Sequence, residues 1–188
     1  MPPANGYRQL PAASRQRGLP PIGVELEAPA AVEVTPIDSG PTLVRCRERR
    51  ADGKTIGELE IAIFKAALVI DRDGILEAKA STAANDVADR GVRVSSPMPV
   101  SLHGASGYRA DAEIRPPPPL PYAYVFAMAP NDLGVDGGVL VTIRCATPEW
   151  PAADEIIESL RLSTRRGASN DAEPAAPLLP MLGRRDDE

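Results

Sequence analysis

Asp52-Gly53 stands between two stretches, Thr42–Arg49 and residues 58–64, whose side chains alternate so regularly that few arrangements satisfy both. In TLVRCRER, Arg45, Arg47 and Arg49 fall on one side and Val44 and Cys46 on the other. In GELEIAIF, Glu58 and Glu60 fall on one side, and Leu59, Ile61 and Ile63 on the other. Asp-Gly is a strong signal for a two-residue hairpin loop, because a type I′ turn needs positive φ at both positions. With those residues at the tip, Ala51 faces Lys54, Arg47 opposes Glu58, Arg45 opposes Glu60, Val44 opposes Ile61 and Cys46 opposes Leu59. Opposite charges then meet on one face and apolar residues on the other, and a slip of one residue mixes the two. An apolar face of this kind has to be covered by a second layer.

Patterning along the rest of the chain supplies candidates for both layers. Val24 and Leu26, then Val32 and Val34, alternate with Glu25, Glu27 and Glu33 as two short strands around Pro29. Asp71 and Asp73 lie in a turn before Leu76, Ala80, Ala83 and Val87, whose spacing predicts one narrow apolar stripe of a helix that Gly91 ends. Val92 to Val94 and Val100 to Leu102 are short strand candidates. Tyr108, Ala110, Ala112 and Ile114 alternate with Arg109, Asp111, Glu113 and Arg115, and residues 122–128 resume strand character. Val139, Val141, Ile143 and Cys145 form a last core-facing strand. Trp150 then marks a corner, and Pro151, Asp154 and Glu155 open a helix with a buried stripe of Ala153, Ile156, Ile157 and Leu160. The fold class expected is α+β: a single antiparallel sheet with a mid-chain helix and a C-terminal helix packed on it.

The 21 prolines among 188 residues, beside only 4% aromatics, suit a folded middle with two unstructured ends. Residues 1–21 have no apolar periodicity and residues 166–188 are polar and Pro-rich, so the domain is expected to span residues 22–165. The net charge of −5 gives no global attraction to nucleic acid or anionic lipid. No run approaches the roughly 18 apolar residues of a membrane span, and no apolar leader-like segment opens the chain. A cytoplasmic location is expected, with Cys46 and Cys145 as buried free thiols.

The order strand, strand, hairpin, helix, three-strand meander, helix resembles the superfamily containing the photosystem PsbP proteins, the Mog-type Ran-release factors of yeast nuclear transport, and the bacterial DcrB and LpqN lipoproteins. GVELEAP is similar to the family's opening strand ending in Pro, and VSLHGASGYRADAEI to its run of strand, Gly and Gly-Tyr-Arg. VLVTIRCATPEWPAADEIIESLRL resembles its closing strand and helix, which end here in Ser159-Leu160-Arg161. One departure is Pro29-Ala-Ala-Val32, where the family pattern Pro-x-x-Trp places an aromatic. The resemblance covers about residues 22–165 and implies a PsbP-like fold and non-enzymatic binding or assembly work. Its DcrB-like branch includes Eag-type chaperones that shelter apolar helices of type VI secretion effectors, and these need an exposed apolar groove. An outer face carrying Arg45, Arg47, Arg49, Glu58, Glu60, Arg109, Asp111 and Glu113 argues against such a groove.

Residues with catalytic or metal-binding potential are sparse. His103, the sole histidine, has no second His, no Cys-x-x-Cys and no carboxylate cluster beside it in sequence, whereas a zinc site needs three or four ligands. Asp71/Asp73 and Asp132/Asp136 read as turn acids, since the twelve-residue calcium loop with its closing Glu is absent. No catalytic residue, metal or cofactor is expected. Three places could bind a protein partner. The first is the hairpin face of Arg45, Arg47, Glu58 and Glu60. The second is the stiff proline run from Arg115 through Pro118 to Pro121. The third is the C-terminal cluster Leu178, Leu179, Met181 and Leu182, faintly similar to the cargo-loading tails that target encapsulin shells. The expected function is a non-catalytic protein-binding or assembly adaptor whose partner is another protein, without nucleic acid or membrane. A secretion-effector chaperone, dimeric and with a contiguous apolar patch, is one alternative. A pocket-containing ligand-binding protein or enzyme is another.

Overall fold

The structure, a computed structural model, describes residues 5–66, 71–88, 93–114, 118–132 and 137–164. Its strands form two sheets, which corrects the single sheet expected. The larger runs β3 (Val32–Pro36), β4 (Thr42–Arg49), β5 (Thr55–Lys65), β10 (Gly137–Cys145), β9 (Tyr122–Pro130), β8 (Ala105–Glu113) and β6 (Arg93–Val94), with β7 (Met98–Leu102) also paired to β8. The smaller is β1 (Gly6–Gln9), β2 (Gly23–Glu27) and β11 (Arg161–Ser163). Every pairing is antiparallel.

The hairpin register is the one expected, with Arg47 opposite Glu58, Arg45 opposite Glu60, Val44 opposite Ile61 and Cys46 opposite Leu59. Its turn is not. The Gly53 amide donates to the Arg50 carbonyl and the Arg50 amide to that of Lys54, both at 2.9 Å. Gly53 has φ +81°. This is a three-residue loop closed by a residue in the left-handed region, not a type I′ turn. It shifts the pairing by one, and an irregularity between Glu48 and Arg49 shifts it back. The two-residue loop occurs instead at His103-Gly104, both with positive φ, between the paired Leu102 and Ala105. His103 is thus an exposed turn residue.

Cross-strand register assigns every side chain to one of two faces. On the first, Val44, Cys46, Leu59, Ile61, Ile63, Val139, Val141 and Ile143 are buried. The small sheet (Ile22, Val24, Leu26, Leu162) and α3 (Pro151–Ser159, through Ile156) cover this face in one continuous core. On the second face, α2 (Arg72–Ala88) lies over β8 and β9, burying Leu76, Ala80, Ala83 and Ala84. The sheet residues beneath α2 are small as well: Ala110, Ala123 and Ala127 are fully buried. Alanine against alanine lets helix and sheet approach closely.

Trp150 holds α3 to the large sheet. Its ring lies flat against Gly57 of β5, where a Cβ would come within 2.2 Å of Cδ2, and its Nε1 donates to Glu48 Oε2 at 2.6 Å. After α3 the chain does not simply trail away. The Ser159 hydroxyl accepts from the Glu27 amide at 2.9 Å, and Arg161 then begins β11 on β2.

Residues 5–21 also depart from expectation. Tyr7 pairs with Leu26 in β1, and α1 (Pro11–Gln16) follows. The fully buried Ser14 donates to the Ile22 carbonyl at 2.7 Å and accepts from Gln9 Nε2 at 2.7 Å. Arg17 donates to the carbonyls of Ile37, Gly40 and Thr42. Polar anchoring of this kind leaves no hydrophobic period in the sequence, so composition alone suggested a tail.

Candidate functional site

The coverings lie diagonally, α2 on one face at the β8–β9 end, the small sheet and α3 on the other at the β4–β5 end. Among the described residues, two quadrants of the large sheet are therefore less fully layered than the rest. The sequence placed Arg109 and Asp111 with the hairpin charges. Register overturns that: Arg109 opposes Phe126, Phe126 opposes Val141 and Val141 opposes Ile61, so Arg109 shares a face with Ile61 and not with Glu60.

The first quadrant is the charged hairpin face. Arg47 Nε donates to Glu58 Oε2 at 2.7 Å and Arg45 reaches Glu60 Oε1 at 3.2 Å. These four residues come together as expected, yet each charge is met by its neighbour. Half-exposed pairs of this kind contribute at most about 1 kcal/mol each.

The proline run is described only in part. Arg115 lies outside the described residues. The Ile114 amide donates to the Pro121 carbonyl at 2.8 Å, closing the β8–β9 connection on itself. Pro118 and Pro121 are half-buried in this closed loop, and Pro119 and Leu120 line a hollow with Arg50, Lys54 and Ile56. Leu178, Leu179, Met181 and Leu182 lie outside the described residues, as does Asp136.

The second quadrant is a cleft of about 630 Å³ between α3 and the β7–β8–β9 face. Phe126, Tyr124 and Ile143 form its floor, Val100 and Leu102 one wall, and Ile157 of α3 the other. Volumes of roughly 300–1,000 Å³ are those of ligand-sized sites. Arg109 lies across the floor with its Cζ 4.8 Å from the Tyr124 ring centre and 5.5 Å from that of Phe126. Both forks of its guanidinium engage Asp111, at 2.7 and 3.1 Å. The cation is thus neutralised and held flat, extending the aromatic surface.

Three acids, Glu149, Asp154 and Glu158, rim the α3 side. Among the described residues none of them is in an ion pair. Cys145 also lines the cleft, its thiol pushed up to about 11 by burial and then by the Asp154 charge. Burial likewise raises the Tyr124 phenol, which donates to the Pro148 carbonyl. Neither group ionises near neutral pH, so both are uncharged there. The arrangement has room for apolar groups and suits a positive charge at its rim.

Cys46, pushed up to about 12 by burial, is separated from Cys145 by the whole of β5, beyond disulfide reach. Among the described residues no cluster of three or more His, Cys, Asp or Glu could hold a metal ion, and no helix is long and apolar enough to cross a membrane. Asp71 caps the α2 entry through the Gly74 amide at 3.1 Å, and Asp132 accepts from Thr164, the turn and anchoring roles such acids commonly take.

The cleft was missed in sequence because its wall and floor come from four separate segments. One signal was present. Tyr122, Tyr124 and Phe126 alternate in β9 of a chain otherwise poor in aromatics, and they point to the opposite side from the alanines under α2.

Comparison with known proteins leaves the fold to be argued from its own geometry. No protein-family model and no curated protein matches the chain. A crystal structure from Bacteroides thetaiotaomicron is similar at a TM-score of 0.42 and 11% identity over 88% of this chain. The chain spans about half the length of that structure, 50%. The class defined here is an α+β protein of two antiparallel sheets and three helices among the described residues.

Proposed function

We propose that this protein is a non-catalytic binding module that holds a short apolar segment of another protein in the cleft between α3 and β9. The observation that carries the reading is the cleft of about 630 Å³ lined by Tyr124, Phe126, Val100, Leu102 and Ile157 beside an acidic helix edge. The cleft's size supports a few side chains over the roughly 20-residue apolar helix that a secretion chaperone would shelter. The proposal includes a PsbP-like relationship, in which the mid-chain helix and the closing strand-helix keep the expected order, and a cytoplasmic setting suited to two free thiols.

The test is amide shift mapping with a panel of eight-residue apolar peptides, with and without two flanking arginines. Shifts at Val100, Phe126 and Ile157, and at least tenfold weaker binding to the Ile157→Glu chain, are the expected result. Shifts confined to Arg45, Arg47, Glu58 and Glu60, or unchanged affinity in Ile157→Glu with native circular dichroism, would overturn it. Saturable turnover of a small molecule held in the cleft would favour the pocket-enzyme reading.

A further inference from the structure

We propose that the chain's own C-terminal segment, residues 178–185, docks in this cleft and occupies it until a competing segment displaces it. The inference rests on the binding role just assigned to the cleft, and it names the first occupant.

Three observations converge on that segment. Its sequence is Leu-Leu-Pro-Met-Leu-Gly-Arg-Arg, an apolar pentad followed by two cations. The cleft offers the complement, an apolar floor bordered by Asp154 and Glu158. Those acids are four residues apart on one side of α3 and share the cleft with Ile157. Like charges at that spacing repel mildly, and two arginines at the rim would relieve the repulsion.

The chain also leaves the fold at the right place. Thr164 donates to Asp132 Oδ2 at 2.6 Å, and the adjoining Asn131 is bound to the Gly104 carbonyl at 2.8 Å. Gly104 is in the turn that follows Leu102, a wall of the cleft. From there the floor runs along β9 to Tyr124, six positions from Pro130, or roughly 20 Å. The chain between Thr164 and Leu178 can span up to about 46 Å. It reaches any point of the cleft without stretching. Because the segment is tethered, its effective concentration is in the millimolar range. A weak intrinsic affinity then suffices for occupancy.

The test uses the full chain carrying Asp187→Cys with a nitroxide. Cys46 and Cys145 are buried with raised pKa values, so the introduced thiol is labelled selectively. Amides of Ser101, Phe126 and Ile157 are expected to lose at least half their intensity relative to the reduced label. Met181→Asp with Arg184→Glu and Arg185→Glu should restore them, and should raise the affinity of an added apolar-basic peptide at least threefold. Full intensity at all three amides overturns the proposal, as does broadening that survives the triple substitution. Equal broadening when the label and the isotope enrichment are on separate molecules assigns the segment to a second copy and overturns docking within one chain. If panel peptides shift the cleft amides while the label does not broaden them, the tail inference falls and the cleft's binding role stands. If neither happens, both fall.

Discussion

The contact of Trp150 with Gly57 sets how α3 sits on the sheet, and Gly57→Ala perturbs it at a single atom. The new methyl would lie 2.2, 2.3 and 2.6 Å from Cδ2, Cε2 and Cε3 of the indole, where carbon atoms in contact need roughly 3.5–4.0 Å. The ring must therefore retreat by more than an ångström, and Gly57 is backbone-locked between Glu48 and Cys145 on its two neighbouring strands. Overpacking of this kind costs about 1–3 kcal/mol. Retreat also stretches the Trp150–Glu48 hydrogen bond, whose acceptor is a carboxylate, a class worth about 1.5–3 kcal/mol. Partial loss of that bond brings the expected cost to about 2–4 kcal/mol, or a fall in Tm of roughly 4–16 °C at this chain length. Urea unfolding followed by the emission of the sole tryptophan measures it, and native emission should shift to the red as the ring is exposed. In a Trp150→Ala background, itself costing about 3–5 kcal/mol, Gly57→Ala should cost below about 0.5 kcal/mol by circular dichroism. Equal costs in both backgrounds would locate the effect in the strand and refute the reasoning, as would a parent-like midpoint for Gly57→Ala alone.

Two further predictions concern buried polar groups. Cys46 and Cys145 ionise at about 12 and about 11 in the fold, against 9.0 ordinarily, so the unfolded chain loses its thiol protons first. Their contribution to stability is whole below about pH 9 and falls as pH rises through 11 and 12; unfolding midpoints from pH 7 to 11 should fall less steeply in Cys46→Val/Cys145→Val, and an identical slope would contradict the assignment. Ser14→Ala leaves the Ile22 carbonyl and the Gln9 amide short of a partner and is expected to cost about 1–3 kcal/mol. Faster hydrogen exchange at the β1 and β2 amides should accompany that loss, and unchanged exchange would show that the arm is held by other contacts.

What could be read from sequence follows the range of the forces involved. The β4–β5 register was legible because charge pairing and apolar burial select it independently of the turn. That is why it survived a wrong turn type: the three-residue loop and the irregularity near Glu48 cancel. The stripe of α2 and the Pro151 start of α3 were legible for a similar local reason. Face assignment across strands was not, because Arg109 alternates like a surface residue whichever side of the sheet it occupies. Only its pairing with Phe126 decides, and that pairing depends on the β9 register. Gly57 carried no sequence signal either, since its need for a bare Cα arises from an indole far along the chain. The same distance hid the small sheet, whose strands are three to five residues long and come from both ends of the described chain.

That small sheet has a consequence for when the protein can work. Ser159, which ties α3 to β2, lies 132 residues after its partner Glu27. At about 5–20 residues per second, synthesis leaves β2 waiting roughly 7 to 26 s for its second neighbour. The cleft's α3 wall therefore cannot be locked in place until Ser159 has been made. Contacts of such long sequence separation form late and slowly. A nascent chain that stops short of Ser159 thus has no finished cleft wall, and the cleft takes shape together with closure of the small sheet.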